Sequence, residues 1–142
     1  MMYAVVRLRG SINTEKKIKD TLNMLNLTRR NHCVLVPKNK SYEGMLMRVK
    51  SHVTYGEINK ETLKELVKKR GRKPGDKKLT EEEAEEIAEK IWKNKSVKNT
   101  GIKPVFRLSP PSKGLKSIKK PYPKGDLGYR GKEINKLLER MI

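Results

Sequence analysis

Two histidines, one cysteine and sixteen carboxylates are the groups in this 142-residue chain that could do acid–base, nucleophilic or metal chemistry. Their spacing assembles none of it. His32 and His52 lie in or beside β-rich runs, and the single cysteine, Cys33, cannot complete a Cys/His set with zinc spacing. Nor can it form a disulfide within the chain. Set in the most apolar run, it reads as a small buried hydrophobe. Gly125, Gly128 and Gly131 recur every third residue, but no Lys-Ser/Thr pair follows them and no buried strand precedes them. A nucleotide-cradling loop needs both. Ser109 stands before two prolines, not in a strand-to-helix elbow. Six glutamates crowd the stretch 81–89, where they favour a helix N-terminus and solvent. No pair of carboxylates sits in the apolar setting that would split two pKa values. The expectation is no active site, no metal and no cofactor.

What the chain has in excess is positive charge. Thirty-five Lys and Arg face sixteen Asp and Glu, a formal net charge of +19. A field that strong implies a polyanionic partner, either nucleic acid or an anionic membrane surface. The balance is +8 over residues 1–56, +2 over 57–95 and +9 over 96–142. Both ends are basic around a nearly neutral middle. Only 35% of residues are hydrophobic, with one Trp and one Phe, so the core is thin and part of the order is expected to come from the partner. No run approaches the ~20 apolar residues of a membrane span, and the apolar run at the start is too short for a secretory signal. A soluble, intracellular protein without a membrane partner or a small-molecule substrate is expected.

The elements that must position this charge begin with a βαβαβ pattern. Residues 3–8 are a short β-rich run. Thr14 to Leu25 places Ile18, Leu22 and Leu25 on one helical face. Residues 32–36 read as a central strand, ended by Pro37 because proline cannot donate to a ladder. Residues 41–49 read as a helix burying Met45, Leu46 and Val49, and residues 53–56 as a third strand. Two helices would cover one face of the sheet and leave the other face and the tips to Arg7, Arg9, Arg29, Arg30, Lys38 and Lys40. A third helix starts at an Asn59 cap, with Ile58 stapled to Leu63. It is expected to end at Gly71 in a left-handed conformation, before a basic turn or loop over 72–78. Thr80 and Glu83 form a capping box for a fourth helix. Residues 104–108 read as an edge strand. An irregular tract over 113–130 holds Lys113, Lys116, Lys119, Lys120 and Lys124, with Tyr122 and Tyr129 able to stack on bases. A last helix over 133–141 ties that tract down.

No base-reading helix or basic zipper is present, which argues against regular duplex DNA. Irregular Lys/Gly/Pro segments suit folded RNA, read by shape, backbone and exposed bases. The alternative is a DNA-binding chromatin-type architectural protein. Three groups of residues then carry a resemblance. Leu27-Thr28-Arg29-Arg30-Asn31-His32 before an apolar strand is one. Tyr42-Glu43-Gly44-Met45-Leu46 is the second. The third comprises residues 66–71, Phe106-Arg107-Leu108-Ser109-Pro110-Pro111, residues 125–130, and Ile134-Asn135, in that order. Together they resemble the large-ribosomal-subunit protein family called L-thirty in bacteria and L-seven in eukaryotes, in its archaeal form. The resemblance implies an α+β fold with a ferredoxin-like βαβαβ core and an antiparallel three-stranded sheet over residues 1–56. Residues 57–142 would be an extension packed on that core. It also implies no enzyme activity, a place in the cytoplasmic ribosome as a monomer, and large-subunit ribosomal RNA and neighbouring ribosomal proteins as partners. Arg29 and Arg30 are the first RNA contacts by motif. Arg7, Arg9, Lys38, Lys40 and the five tract lysines follow from charge and position, and His32, Tyr122 and Arg130 complete the candidate set.

Overall fold

The computed structural model describes residues 2–10, 15–73, 77–94, 102, 105–112, 114–115, 120–122 and 124–142. Strand β1 (Met2–Arg7) lies at the centre of the main sheet. Strands β2 (His32–Pro37) and β3 (Val53–Glu57) flank it, both antiparallel. This is the expected three-stranded core, but the sheet is wider. Strand β6 (Val105–Arg107) adds antiparallel to β2, and β7 (Gly128–Tyr129) adds parallel to β3. Helices α1 (Lys16–Met24) and α2 (Lys40–Val49) connect the first three strands. Helices α3 (Lys60–Arg70), α4 (Glu81–Asn94) and α5 (Ile134–Met141) belong to the second half, and a 3-10 turn over Gly131–Glu133 leads into α5.

Every residue of β1 is buried, and alternate side chains enter different cores. Tyr3 and Val5 pack with Leu22, Leu25 and Leu27 from α1 and its exit, and with Leu46 and Val49 of α2. Met2, Ala4 and Val6 pack with Leu63, Leu66, Ile91, Phe106, Leu137 and Leu138. The second face of the sheet is therefore not the open basic surface expected from the sequence. Helices α3–α5 cover it, because the apolar half of each strand needs a second layer to exclude water. Cys33 sits in this core, where burial pushes its thiol up to about 12.

Local signals fix most helix ends. Asn59 accepts from the Thr62 amide at 2.7 Å, and Asn39 caps α2 in the same way at 2.9 Å. Thr80 caps α4 through the Glu83 amide, with Glu83 bonded back to the Thr80 hydroxyl rather than to its backbone. Gly71 departs from expectation, since its φ is −65°. Glycine is needed there for space: an added Cβ would lie 2.5 Å from the Val67 carbonyl oxygen and 3.0 Å from Leu79. The basic stretch after it is not a loop but a hairpin, β4 (Arg72–Lys73) with β5 (Lys77–Lys78). The α4 glutamates are also more than solvated. Glu89 pairs with Lys60 and Lys64, Glu81 with Lys68 and Glu83 with Lys73, tying α4 to α3 and to the hairpin.

The second half is docked through β3. Asn135 is buried, donates to the Glu57 and Lys132 carbonyls, and accepts from the Asn59 amide. Gly56 faces the 3-10 turn so closely that a Cβ would lie 1.9 Å from the Gly131 carbonyl oxygen. That atom belongs to backbone and cannot swing aside. Gly56→Ala is expected to cost about 1–3 kcal/mol or more, as overpacking does. Gly44 is mid-helix with open space around it, so Gly44→Ala is expected to gain about 1 kcal/mol from helix propensity. Urea denaturation of both variants checks the contrast.

Candidate nucleic-acid interface

One end of the sheet, where β1 finishes and β2 and β3 begin, collects most of the core's arginines. The turn that carries Arg29 and Arg30 is built by two asparagines in the left-handed region, Asn26 at φ 62° and Asn31 at φ 66°. Asparagine tolerates that conformation better than other side chains. The first ends α1: the Leu27 amide donates to Leu22 at 2.8 Å and the Asn26 amide to Asn23 at 3.0 Å. This is the paired-bond helix stop, with Leu27 and Leu22 buried together as its apolar contact. The second shapes the turn itself, closed by the His32 amide to the Arg29 carbonyl at 3.4 Å. The Asn31 amide donates to the Arg7 carbonyl, and the Leu108 amide donates to the Asn31 carbonyl. Arg29 and Arg30 stand exposed on a turn braced from β1 and from the exit of β6.

Arg7 is not a surface cation. It is 3% exposed, with Nη1 donating to the Leu27 carbonyl at 2.7 Å and Nε to the Arg9 carbonyl at 2.9 Å. Burial lowers its pKa, yet a guanidinium stays charged under any ordinary condition. It works as an internal strut between the Arg29–Arg30 loop and the segment after β1. Arg9 is half-buried and donates from Nη1 to the Ser51 carbonyl at 3.3 Å.

Two histidines sit inside this field. Burial lowers the pKa of His32, and the charges of Arg107, Arg29 and Arg7 lower it further. Burial, Arg9 and Arg7 do the same to His52, whose Nδ1 lies 2.9 Å from the Ser51 hydroxyl. Both rings are therefore neutral at pH 7. Nδ1 of His32 is buried with no hydrogen-bond partner among the described residues. No carboxylate is among the groups that shift either ring. The arrangement is an electropositive end suited to phosphate oxygens.

The other sequence candidates lie elsewhere. Lys38 and Lys40 follow Pro37, which pairs with Met2 at the far end of the sheet. Lys38 pairs with Glu57 at 3.3 Å and lies 5.7 Å from the Tyr3 ring centre. Tyr129 donates its hydroxyl to both oxygens of that carboxylate, at 2.6 and 2.7 Å. Burial alone would raise the Glu57 pKa, but the bonds from Tyr129, backbone and Lys38 hold it below its ordinary value. Tyr129 is thereby a ligand of Glu57, although its ring stays half exposed beside Tyr55. Arg130 is buried as a second strut, bonded from Nε to the Thr54 hydroxyl at 2.8 Å and from Nη2 to the Asp126 carbonyl and carboxylate. Its guanidinium carbon lies 5.2 Å from the Tyr122 ring centre, so that ring is partly covered. Lys120 and Lys124 are exposed. Lys113, Lys116 and Lys119 lie outside the described residues.

Sequence reasoning missed Arg107, which pairs with His32 across β2 and β6 and adds to its field. The signal was present in the alternation of the edge strand, where Phe106 is buried and Arg107 exposed. It also missed the hairpin cations. Among the described residues no group of three His, Cys, Asp or Glu could hold a metal. A groove of about 650 Å³ runs between Tyr122, Arg130, Lys136 and Arg140, and Asp126, Glu133 and Glu139 also line it. No histidine or cysteine lines it. No described helix is long and apolar enough to cross a membrane.

Comparison with known proteins adds a second line of observation. The family model described as Ribosomal protein L30p/L7e matches residues 3–53. Over nearly its whole length the chain is similar to proteins named Large ribosomal subunit protein uL30. The one from Archaeoglobus fulgidus is 51% identical, with 99% of each chain covered. The one from Methanosphaera stadtmanae is 46% identical, over 99% of this chain and all of the relative. The one from Nanoarchaeum equitans is 46% identical, with 99% of each covered.

The neutral histidines give a pH signature. Their folded pKa values lie below the ordinary 6.5. As pH falls through that value the unfolded chain takes up protons that the folded chain refuses, so stability falls with pH. The folded state should lose urea resistance between pH 7.5 and 5.5, above the range where carboxylates titrate. A His32→Gln His52→Gln variant is expected to flatten that slope. An unchanged slope would show that neither ring is held neutral.

Proposed function

We infer the function from kinship and geometry together, because this chain belongs to the ribosomal protein L30p/L7e family. It is a structural constituent of the large ribosomal subunit and acts in the cytoplasmic ribosome. Ribosomal RNA and ribosomal proteins are its partners. The family is structural, and the absence of catalysis is part of the reading proposed here. So is action as a single copy within the particle, without a small-molecule substrate. Nothing among the relatives favours the chromatin-type alternative.

The observation that carries the site assignment is the braced, exposed Arg29–Arg30 turn beside Arg9, where arginines and no carboxylate are among the groups that shift His32 and His52. A rigid turn loses little entropy on binding, so its arginines meet phosphates with most of the electrostatic gain intact. Arg29, Arg30 and Arg9 are proposed as the primary RNA contacts, with His32 at their base. Arg7 is proposed to support them from inside, and Arg130 to hold β7 on β3, rather than to touch RNA. Lys38 and Lys40 at the far end, with Lys120 and Lys124, are proposed as secondary contacts, as are Lys113, Lys116 and Lys119 in the tract. The proposed division is residues 1–56 as RNA-binding core and 57–142 as a packed extension.

Arg29→Glu with Arg30→Glu should weaken binding to large-subunit RNA at least tenfold at ~0.1 M salt. It should lower the salt slope by about the two lost phosphate contacts. The melting temperature should hold, because exposed charges contribute little to stability. Filter binding against RNA fragments and duplex DNA checks it. Equal affinity of the unmodified protein for both polymers would favour the chromatin reading instead.

A further inference from the structure

The hairpin β4–β5 is an unfavourable arrangement in isolation. Arg72 faces Lys78 and Lys73 faces Lys77, so all four cross-strand partners are cations. Like charges directly opposite one another destabilise a strand pair, and strands of two residues contribute little of their own. Among the described residues only Lys73 has a carboxylate partner, Glu83. The stretch 72–78 holds one acid, Asp76, against four cations. Arg72 spends Nη1 on the carbonyls of Lys69 at 3.1 Å and Gly71 at 2.8 Å, which fixes its guanidinium without neutralising it. Lys77 and Lys78 are exposed.

The base of the hairpin is nonetheless rigid. Gly71 lies against the Val67 carbonyl with no room for a side chain, and Leu79 at the exit packs on the core under α3. Lys68 and Lys73 are pulled towards Glu81 and Glu83 at the start of α4. The acids take up those two lysines and leave Lys77 and Lys78 facing solvent.

The hairpin is also joined to the arginine-rich end of the sheet by a chain of direct bonds. Leu108, after Arg107, donates its amide to Asn31 in the Arg29–Arg30 turn. The next residue, Ser109, accepts Arg70 Nη2 at 2.6 Å. Arg70 ends α3, and only Gly71 separates it from the first residue of the hairpin. Cations thus run from Arg29–Arg30 past Arg107 and Arg70 to the hairpin.

We propose that this hairpin is a second phosphate-backbone contact for the same RNA that meets Arg29 and Arg30. The extension thereby lengthens the RNA-binding surface rather than merely covering the sheet. The proposal rests on the reading of the Arg29–Arg30 end as RNA-binding. A polyanion laid along this band supplies the counter-charge that the hairpin lacks, so the feature that costs stability in the free protein favours the complex.

The test compares the full-length Lys77→Glu Lys78→Glu variant with Arg29→Glu Arg30→Glu, using large-subunit RNA fragments across a salt series. Replacing Lys77 and Lys78 puts opposite charges across from Lys73 and Arg72, so the free variant should melt at the same or a higher temperature. Its RNA affinity should fall about tenfold at ~0.1 M salt, with a salt slope shallower by about two contacts. Lys77→Gln Lys78→Gln provides the same comparison without reversed charge if the first variant folds poorly. Unchanged affinity and slope in the hairpin variants, with the Arg29/Arg30 variant weakened, would overturn the proposal and leave the primary site standing. No loss in the Arg29/Arg30 variant would instead overturn the primary reading. Intact RNA binding with loss of retention in reconstituted subunits would point to an acidic protein surface and would also overturn the proposal.

Discussion

The structure depends on a strand that has no solvent face. β1 is buried along its whole length, with Met2, Ala4 and Val6 in one core and Tyr3 and Val5 in the other. Its neighbour β3 is buried along its length as well, and the rest of the chain is arranged around these two strands. Side chains that must stay hydrated are excluded from both faces of the central sheet. They can occupy only the strand ends, the turns and the outer helix surfaces. The arginine-rich end of the sheet is a consequence of this exclusion. Arg7 shows where the boundary falls. It is the last residue of β1, already inside, and its charge is tolerated because two backbone carbonyls receive it. Lysine would be a poor replacement, since one ammonium cannot reach in two directions as a planar guanidinium does.

The second constraint is electrostatic. Thirty-five cations cannot be packed into 142 residues without placing some of them against each other. The chain uses its carboxylates selectively. Glu81, Glu83 and Glu89 bind lysines on or next to α3 and hold two helices together. Glu57 binds Lys38 and Tyr129 at the far end of the sheet. Asp126 binds the buried Arg130. No carboxylate is among the groups that shift the histidines at the arginine-rich end. Exposed pairs of this kind contribute little energy each. Their larger effect is to set carboxylates of α4 against lysines of α3 and the hairpin that would otherwise face one another unneutralised.

Much of this was legible in the sequence, and the division between what was and was not has a physical basis. The order of the first three strands and two helices follows from apolar periodicity, which depends only on which face of each element meets a core. Asn59 and Thr80 were readable because a cap bonds within its own turn, whereas the Asn39 cap of α2 was not identified. Gly71 was assigned the wrong reason, because helix-stop glycines are usually left-handed. Its true constraint is a carbonyl one turn back and a leucine eight residues on. The second core was missed because α3, α4 and α5 look individually like surface helices with narrow stripes. Only their joint placement shows that they close one face. Arg7 and Arg130 were misplaced for a related reason: charge gives no warning of burial when acceptors such as the Leu27 carbonyl and the Thr54 hydroxyl are distant in sequence, although Asp126 four residues before Arg130 was a local clue.

The two buried arginines show how so lean a protein can brace its basic surface from inside. An exposed arginine on a free loop would lose backbone and side-chain entropy on binding, about 1–2 kcal/mol per ordered backbone residue. Here backbone hydrogen bonds and burial already hold the turn. Asn31 is bonded on both sides, Arg7 grips the carbonyl of Leu27, and Leu27 itself is fully buried. At the other edge Arg130 grips Thr54 and Asp126, so β7 follows β3. Each strut uses a buried cation to fix the backbone of segments beside it. The total charge therefore overstates the number of cations on the surface. It counts residues that hold the fold together as well as those that face solvent.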